Sequence, residues 1–317
     1  MASAEQGLIQ RHFAPISGAG ALGLRDDAAS LAPPAAHDLV VTADAVVAGV
    51  HFFPDDAPAD IARKALRVNL SDLAAKGATP HGIVMTLCLP AELDEDWVAA
   101  FADGLGADLE TYGCALFGGD TVRAPMLSVS ITALGLVPTG GMVRRDGAKP
   151  SDVLFVSGTI GDGALGLLAR RGEWDESELL DRYLRPRPRC GLAEALRVHA
   201  SAAMDVSDGL AGDLDALLAA SNVTARIAIA DVPLSTAARR IVECDPAHMR
   251  TVLTGGDDYE ILAAVPVDRE EAFRQMAAEA AVPVARIGTL EPGYAPAVFV
   301  GPDGAKLDLA RRAYSHL

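Results

Sequence analysis

The sequence predicts a two-domain protein in which helices and strands are mixed along the whole chain. Its 317 residues are enough for two domains of ordinary size, and half of them are hydrophobic, so each domain can bury a core. Short β-branched segments lie between segments whose apolar residues follow helical spacing. Glycines and prolines concentrate in residues 138–151, so we expect the domains to be residues 1–138 and 139–317.

In the first domain, apolar periodicity predicts each element in turn. Helical spacing predicts helices over residues 5–13, 60–76 and 94–112. β-Branched or apolar runs predict strands over residues 39–42, 46–53, 83–89 and 114–117. Apolar and polar residues alternate over residues 127–133, which predicts a strand in an antiparallel or edge position.

The second domain is predicted in the same way. We expect strands over residues 153–157 and 261–265, a glycine-rich turn over residues 158–166 and a helix beginning at Leu210. A hairpin could join residues 298–300 to residues 306–309 around Pro302-Asp303-Gly304. Four arginines lie among prolines in residues 179–189, and the sequence assigns them no role.

Composition excludes several classes of function. The net charge is −16, with 43 acidic against 27 basic residues, which argues against nucleic acid and anionic membranes as partners. A phosphate ligand would therefore have to bind through cations. The four cysteines, Cys88, Cys114, Cys190 and Cys244, are scattered, as in a reduced cytosolic protein. We find no secretory signal and no apolar run of about 18 residues, so we expect a cytoplasmic protein.

Residues 18–23 match the dinucleotide fingerprint GxGxxG, but the context is wrong for one. That fingerprint needs a strand before it and a helix after it, whereas a helical pattern precedes these residues. Asp26 and Asp27 follow directly, and their carboxylates would repel a pyrophosphate. We therefore predict no dinucleotide site here.

Aspartates recur at predicted strand ends and glycine-bounded turns. They are Asp26, Asp27, Asp44, Asp72, Asp120, Asp205, Asp208 and Asp257. Any one of them is more often a turn or cap residue. As a set they predict a shared Mg²⁺ site, because hard cations relieve the repulsion between carboxylates and also bind phosphate oxygens. Asn69 and Asp72 share one helix face, and Thr42 and Ser207 could add oxygen ligands.

The sequence also indicates how a nucleotide phosphate could be held. Gly118 and Gly119 precede Asp120 and would let the backbone approach a phosphate closely. Arg145 could supply a fixed positive charge, although a plain surface position is equally compatible with its context. The chain has no GxxxxGK[ST], HRD, DFG or GxSxG motif, which excludes P-loop proteins, protein kinases and the common serine hydrolases.

Seven segments together resemble the thiamine-monophosphate kinase family, and they span most of the chain in order. They are DDAA at 26–29, TAD at 42–44, AGVHF at 48–52, NLSDLAA at 69–75, GGDT at 118–121, DVSDGL at 205–210 and GGDDYE at 255–260. The resemblance implies the fold of aminoimidazole ribonucleotide synthetase. In that fold an N-terminal α/β domain pairs with its twin in a homodimer, and an α+β domain follows and completes the ATP and substrate site.

The resemblance also implies a reaction and a set of site residues. ATP and thiamine monophosphate would give ADP and thiamine diphosphate with several Mg²⁺ ions, by direct transfer without a covalent or general-base residue. Metal would be bound by Asp27, Thr42, Asp44, Asp72, Asp120, Asp205 and Asp208. ATP would be bound by Gly119, Asp120, Arg145 and Ser207, with Asp120 and Arg145 also neutralising charge in the transition state. Thiamine monophosphate would be bound by His51, Asp257 and Tyr314.

Three positions depart from the family pattern. Ala43 stands where a second hydroxyl residue is usual, Arg25 lies beside the first acids, and Asp257 replaces a glutamate that is one methylene longer. The alternatives are an aminoimidazole ribonucleotide synthetase-like enzyme and a non-catalytic protein that binds Mg-nucleotide. Selenophosphate synthetase would need a reactive residue near the N-terminus, whereas the first cysteine is Cys88, and the hydrogenase-maturation relative would end in cysteine.

Overall fold

The computed structural model describes residues 4–314 of the chain. These residues form two compact units, one with residues 4–73 and 78–140 and the other with residues 74–77 and 141–314. The short stretch 74–77 groups with the second unit because Ala74 and Ala75 belong to a hydrophobic cluster with Val143 and Phe155.

The first unit contains one four-stranded sheet among the described residues. Its strands are β1 (His37–Val47), β2 (Thr79–Leu89), β3 (Ala115–Arg123) and β4 (Ser128–Pro138). They lie in the order β1-β4-β2-β3, with β2 and β3 parallel and the other neighbours antiparallel. The helices that begin in this unit are α1 (Ala4–Leu8), α2 (Pro58–Ala75) and α3 (Glu95–Thr111).

Helix α3 shows how local sequence sets an element. The Asp94 side chain caps it by accepting the N–H of Trp97 at 3.0 Å. Phe101 and Leu105 on its apolar face are fully buried, as their four-residue spacing predicts. At Gly104 a Cβ would lie 2.5 Å from Ala59 Cα, so glycine permits the close packing of α3 against α2.

The structure corrects three expectations in the first unit. Strand β1 is not limited to the predicted residues 39–42 but runs from His37 to Val47, because its whole length pairs with β4. Residues 48–53 form a turn rather than a strand, in which Gly49 has φ +78° and donates its N–H to Phe52 O. Residues 118–120 lie inside β3 and not in a loop after it. Residues 128–133 of the alternating run fall in β4, which is antiparallel to both neighbours as predicted.

The second unit contains a six-stranded sheet among the described residues. Its strands are β5 (Val153–Ser157), β6 (Ala202–Val206), β7 (Val223–Ala228), β8 (Glu260–Val265), β9 (Val284–Pro292) and β10 (Val298–Val300), in the order β10-β7-β9-β5-β8-β6. Alternate residues of β5 enter two separate hydrophobic clusters, Leu154 and Val156 one of them and Val153 and Phe155 the other. Both faces of β5 are therefore covered.

The helices of the second unit are α4 (Asp162–Arg170), α5 (Ser177–Leu184), α6 (Ala193–His199), α7 (Leu210–Ser221), α8 (Thr236–Cys244), α9 (His248–Thr254) and α10 (Glu270–Glu279). Helix α7 begins at Leu210 as predicted. The predicted glycine-rich turn is shorter than expected, because α4 begins within it at Asp162, directly after Gly161 with φ +90°. The predicted hairpin is present in a short form, in which Val300 and Lys306 form an antiparallel bridge and the N–H of Leu307 donates to Phe299 O at 2.9 Å. The other edge of β10 pairs in parallel with β7.

Across residues 4–314, we find no helix with both the length and the apolar character needed to cross a bilayer.

Candidate active site

Strand β1 and helix α2 bring together four of the polar residues singled out in the sequence. Thr42 Oγ1 donates to Asp72 Oδ2 at 2.5 Å, and the N–H of Asp44 donates to Asn69 Oδ1 at 3.0 Å. Asn69 is fully buried and donates to Ala65 O at 2.9 Å, so its side chain is fixed. Asn69 and Asp72 therefore share the face of α2 that meets β1, as their spacing predicts. The group offers carboxylate and hydroxyl oxygens, which are ligands for a hard cation.

Asp27, Gly119 and Asp120 line a cavity of about 680 Å³ in the same unit. The charged residues of its lining are all acidic: Glu5, Asp26, Asp27 and Asp120. Asp26 and Asp120 each accept the N–H of the next residue at 2.8 Å, which holds their side chains against the backbone. A cavity of this size is typical of small-molecule sites. Its charge would repel a polyphosphate unless cations neutralised the carboxylates.

Gly119 is required by the backbone of β3. Its φ is +155°, and a Cβ there would lie 1.7 Å from Met85 O on the neighbouring strand. At the adjacent Gly118 an added Cβ would meet no atom within 4 Å. The glycine pair therefore combines one position that admits no side chain with one that faces open space.

The sheet register separates the Thr42–Asp72 group from the cavity. Asp44 pairs with Ile131, Ile131 with Met85, and Met85 with Gly119, which places Asp44 and Gly119 on opposite edge strands. Four adjacent strands span about 14 Å from edge to edge. Across residues 4–314, no group of three histidine, cysteine or acidic side chains stands close enough to hold a metal ion. The predicted metal ligands of this unit are thus divided between two places.

His51 is fixed in the turn after β1. Its Nδ1 accepts the N–H of Val47 at 3.1 Å, so this nitrogen carries no proton in the arrangement seen. The ring is half-buried. This contact makes His51 a rigid part of the turn.

In the second unit, three segments meet at the end of β6. The N–H of Asp257 donates to Ser207 O at 2.8 Å, and the N–H of Tyr314 donates to Asp208 O at 2.9 Å. Gly256, with φ +75°, allows close approach, because a Cβ there would lie 2.4 Å from Ser207 O. Asp257 itself has φ +67°, a conformation that aspartate tolerates better than most residues. The structure thus brings together Ser207, Asp208, Asp257 and Tyr314.

Two other predicted residues of this unit lie differently. Asp205 is buried inside β6, opposite Ile261 of β8. Arg145 is exposed, and its carbonyl accepts the hydroxyl of Ser221 at 2.9 Å. The hydrogen bond from Ser221 therefore fixes the backbone of Arg145 and does not involve its guanidinium group.

The sequence reasoning missed Asp213, which supports the loop before α7. Its Oδ2 accepts the N–H of Asp208 at 2.9 Å. Burial raises the pKa of the Asp213 carboxyl to about 7, although the N–H groups of Asp208, Ser207 and Gly209 oppose that rise. An acidic residue in the first turn of a helix was the available signal.

The sequence reasoning also missed a buried ionic group around the GGDDYE segment. Glu260 is fully buried and accepts from Arg182 at 2.8 Å, from Arg189 at 2.6 Å and from the Ser157 hydroxyl at 2.6 Å. Arg182 and Arg189 come from the arginine-rich segment to which the sequence assigns no role. A buried glutamate needs a cationic partner, and this rule could have linked the two segments.

Asp258 fixes the start of α4 from the same segment. It is buried and accepts the N–H groups of Gly161 and Gly163, each at 3.0 Å or less. Burial raises the pKa of its carboxyl well above the usual range, although those two N–H groups oppose the rise. Asp258 and Glu260 therefore both anchor the segment that presents Asp257.

Comparison with known proteins gives consistent matches across the chain. The family model "AIR synthase related protein, N-terminal domain" matches residues 25–137, and "AIR synthase related protein, C-terminal domain" matches residues 149–301. Thiamine-monophosphate kinase of Salmonella typhimurium is 41% identical over 325 aligned positions, covering 100% of this chain and 99% of the relative.

Two solved structures extend these matches to the fold. Thiamine-monophosphate kinase from Stenotrophomonas maltophilia K279a is 43% identical, with a TM-score of 0.81 and coverage of 90% of this chain and 91% of that one. The structure of AaThiL complexed with AMPPCP and TMP is 30% identical, with a TM-score of 0.80 and coverage of 92% and 91%.

Proposed function

The chain belongs to the thiamine-monophosphate kinase family, and we propose that it transfers the γ-phosphoryl group of ATP to thiamine monophosphate, giving ADP and thiamine diphosphate. The observation that carries this proposal is the similarity, over 92% of this chain, to a structure that holds AMPPCP and TMP together. AMPPCP is an analogue of ATP, and we take TMP as thiamine monophosphate. That relative therefore holds one substrate of the proposed reaction together with an analogue of the other.

We further propose that the enzyme requires Mg²⁺. The acidic lining of the cavity supports this, because ATP would be repelled there without cations. The donors are all oxygens, which suits Mg²⁺ better than soft metals. The proposed ligands are Asp27, Thr42, Asp44, Asp72, Asp120, Asp205 and Asp208. When bound, Mg²⁺ would neutralise the charge on the transferring phosphate.

In the proposed mechanism the chain positions two anions and supplies no covalent residue. The acceptor oxygen belongs to a phosphate whose second pKa is about 6, so it is already an anion near neutral pH and needs no strong base. Gly119, Asp120, Arg145 and Ser207 would hold ATP, and Arg145 would also offset developing charge. His51, Asp257 and Tyr314 would bind thiamine monophosphate. The Nδ1 contact of His51 supports a binding role rather than proton transfer.

We also propose a homodimer built on the four-stranded sheet. Ala43, Thr132 and Val84 lie directly opposite one another across β1, β4 and β2, so they share the face turned away from the Thr42–Asp72 contact. Val41 and Leu39 on that face are 57% and 42% exposed. Apolar side chains exposed on a sheet with open edges favour pairing with another copy. Light scattering should therefore give twice the chain mass, 65.6 kDa from 2 × 32.8 kDa.

Residues 1–138 would then carry the Mg-nucleotide and dimer contacts, and residues 139–317 would complete the ATP and substrate set. We place the reaction in the cytoplasm, where a reduced, acidic enzyme of this kind would find ATP.

An ADP-release assay tests the function directly. We expect ADP to form with ATP, Mg²⁺ and thiamine monophosphate together, thiamine diphosphate to appear in equal amount by mass spectrometry, and EDTA to abolish both. Turnover with aminoimidazole precursors but not with thiamine monophosphate would favour the synthetase alternative. ATP binding without turnover on either acceptor would favour the non-catalytic alternative.

A further inference from the structure

The last described residues of the chain pack along helix α7. Leu309 belongs to the hydrophobic core of the second unit. At Gly212 of α7, a Cβ would lie 2.4 Å from Ala313 Cβ, so the segment contacts the helix at a position without a side chain. We call residues 309–314 the terminal strap.

An ion pair fixes the middle of the terminal strap. Arg312 donates to Asp215 of α7 through both Nε and Nη2, with Nη2 to Oδ1 at 2.9 Å. Arg312 Nη2 also donates to Ala297 O at 2.9 Å, and Asp215 Oδ1 accepts the N–H of Ala297 at 2.8 Å. The two side chains are 30% and 21% exposed, so solvent only partly screens the pair. A bidentate arginine–carboxylate contact also fixes orientation.

The end of the terminal strap lies against the loop before α7. The N–H of Tyr314 donates to Asp208 O at 2.9 Å. The guanidinium carbon of Arg311 lies 5.6 Å from the centre of the Tyr314 ring, and Arg311 Nε donates to Ala313 O at 3.0 Å. Tyr314 follows Arg312 by two positions in the chain. The ion pair is therefore one of three contacts that set the place of the aromatic ring, beside the Asp208 hydrogen bond and the Arg311 contact.

We propose that Arg312 and Asp215 are positioning residues that hold the terminal strap on α7, so that Tyr314 can bind the rings of thiamine monophosphate. This inference rests on the proposed function. Without the ion pair, the strap would have to be ordered at the moment the substrate binds, and this ordering would weaken binding. The strap meets the proposed ATP and metal residues through the backbone carbonyl of Asp208, whose N–H is held separately by Asp213. We therefore expect a smaller effect on ATP than on thiamine monophosphate.

Steady-state kinetics of Arg312→Ala test the proposal. We expect the KM for thiamine monophosphate to rise about tenfold, an ordering cost of the usual size, while kcat and the KM for ATP stay within about twofold. Asp215→Asn should also raise the KM for thiamine monophosphate, because it removes the charge that pairs with Arg312. Its side-chain oxygen can still accept the N–H of Ala297, so that hydrogen bond is kept. Arg240→Ala is the matched control, because it removes a two-bond contact with Glu176 elsewhere in the same unit.

Two further measurements separate positioning from general stability. Amide hydrogen exchange over residues 310–314 should speed up in Arg312→Ala, with the core strands unchanged. The double variant Arg312→Asp with Asp215→Arg should recover part of the lost affinity for thiamine monophosphate. An unchanged KM for thiamine monophosphate in a folded Arg312→Ala would overturn the inference alone. No turnover of thiamine monophosphate by the wild-type enzyme would reject the proposed function and this inference with it.

Discussion

Thr42 and Asp72 share a hydrogen bond in which Thr42 Oγ1 donates to Asp72 Oδ2 at 2.5 Å, joining strand β1 to helix α2. A threonine hydroxyl has one proton to donate, and here it goes to the carboxylate. Asp72 is half-buried, so its charge is only partly solvated. The contact uses the hydroxyl proton, so Asp72 Oδ1 and the lone pairs of Thr42 Oγ1 can still turn to a cation.

Replacing Asp72 by asparagine tests the metal assignment. The side-chain carbonyl of the substituted residue can still accept the Thr42 proton, so we expect the fold to persist. Loss of one ligand charge should weaken binding of Mg·ATP by more than about tenfold, measured by calorimetric titration. The Tm of the metal-free protein should stay level or rise, because like-charge repulsion falls. Thr42→Val, which keeps the carboxylate, should weaken binding less. Full activity of Asp72→Asn would contradict the assignment.

Gly119→Ala should be destabilising, because its Cβ would collide with Met85 O. We expect the free energy of unfolding to fall by about 2–3 kcal/mol, from the clash and from strain at φ +155°. Urea titration measures it. Gly118→Ala is the matched control, since its Cβ meets no atom within 4 Å. Equal stability of the two variants would show that β3 adapts at this point.

Glu260→Gln should lower the free energy of unfolding, because it leaves a buried arginine without its charged partner. Arg182, which is only 4% exposed, would lose a charged partner. Breaking a buried pair from one side costs about 3–5 kcal/mol of unfolding free energy. Chemical denaturation of Glu176→Gln, which weakens an exposed pair with Arg240, should show a loss below about 1 kcal/mol. If Glu260→Gln lost no more unfolding free energy than Glu176→Gln, water would have to reach and solvate the buried arginine.

Asp213 should make the metal-free protein less stable as pH rises. Its pKa is raised from 3.8 to about 7 by burial, so the folded state binds the proton more tightly than the unfolded state. Stability from this group is complete below about pH 4 and is lost as pH rises through 7, by at most about 4 kcal/mol. In Asp213→Asn, the stability of the metal-free protein should change less over this pH range. Thermal unfolding in EDTA at a series of pH values measures it. An unchanged profile would show that Asp213 ionises without cost.

The sequence predicted correctly the helices whose start depends on residues close to it in the chain. The Asp94 side chain caps α3 within one turn, and the apolar spacing that begins at Leu210 predicts the start of α7. Partners distant in sequence decided the rest. Strand β1 runs past Asp44 because β4 pairs with it, and α4 begins early because Asp258 binds its first N–H groups.

The candidate site was predictable as a set of residues but not as an arrangement. The acids of the first unit were expected to gather, and the sheet instead places Asp44 and Asp120 on opposite edge strands. Glu260 and Arg189 are 71 residues apart, so no local pattern could pair them. The functional roles of the acids remain predictions for the experiments above.

The terminal strap makes the enzyme sensitive to a particular kind of genetic lesion. Among the described residues, Leu309 is the last in the hydrophobic core of the second unit, and Arg312 and Tyr314 come after it. A nonsense codon just beyond Leu309 would leave that core complete, so the truncated product should fold and escape proteolysis. The truncated protein would reach its normal level in the cell but would bind thiamine monophosphate weakly. Protein abundance would then give no warning of the defect, and only the supply of thiamine diphosphate would reveal it.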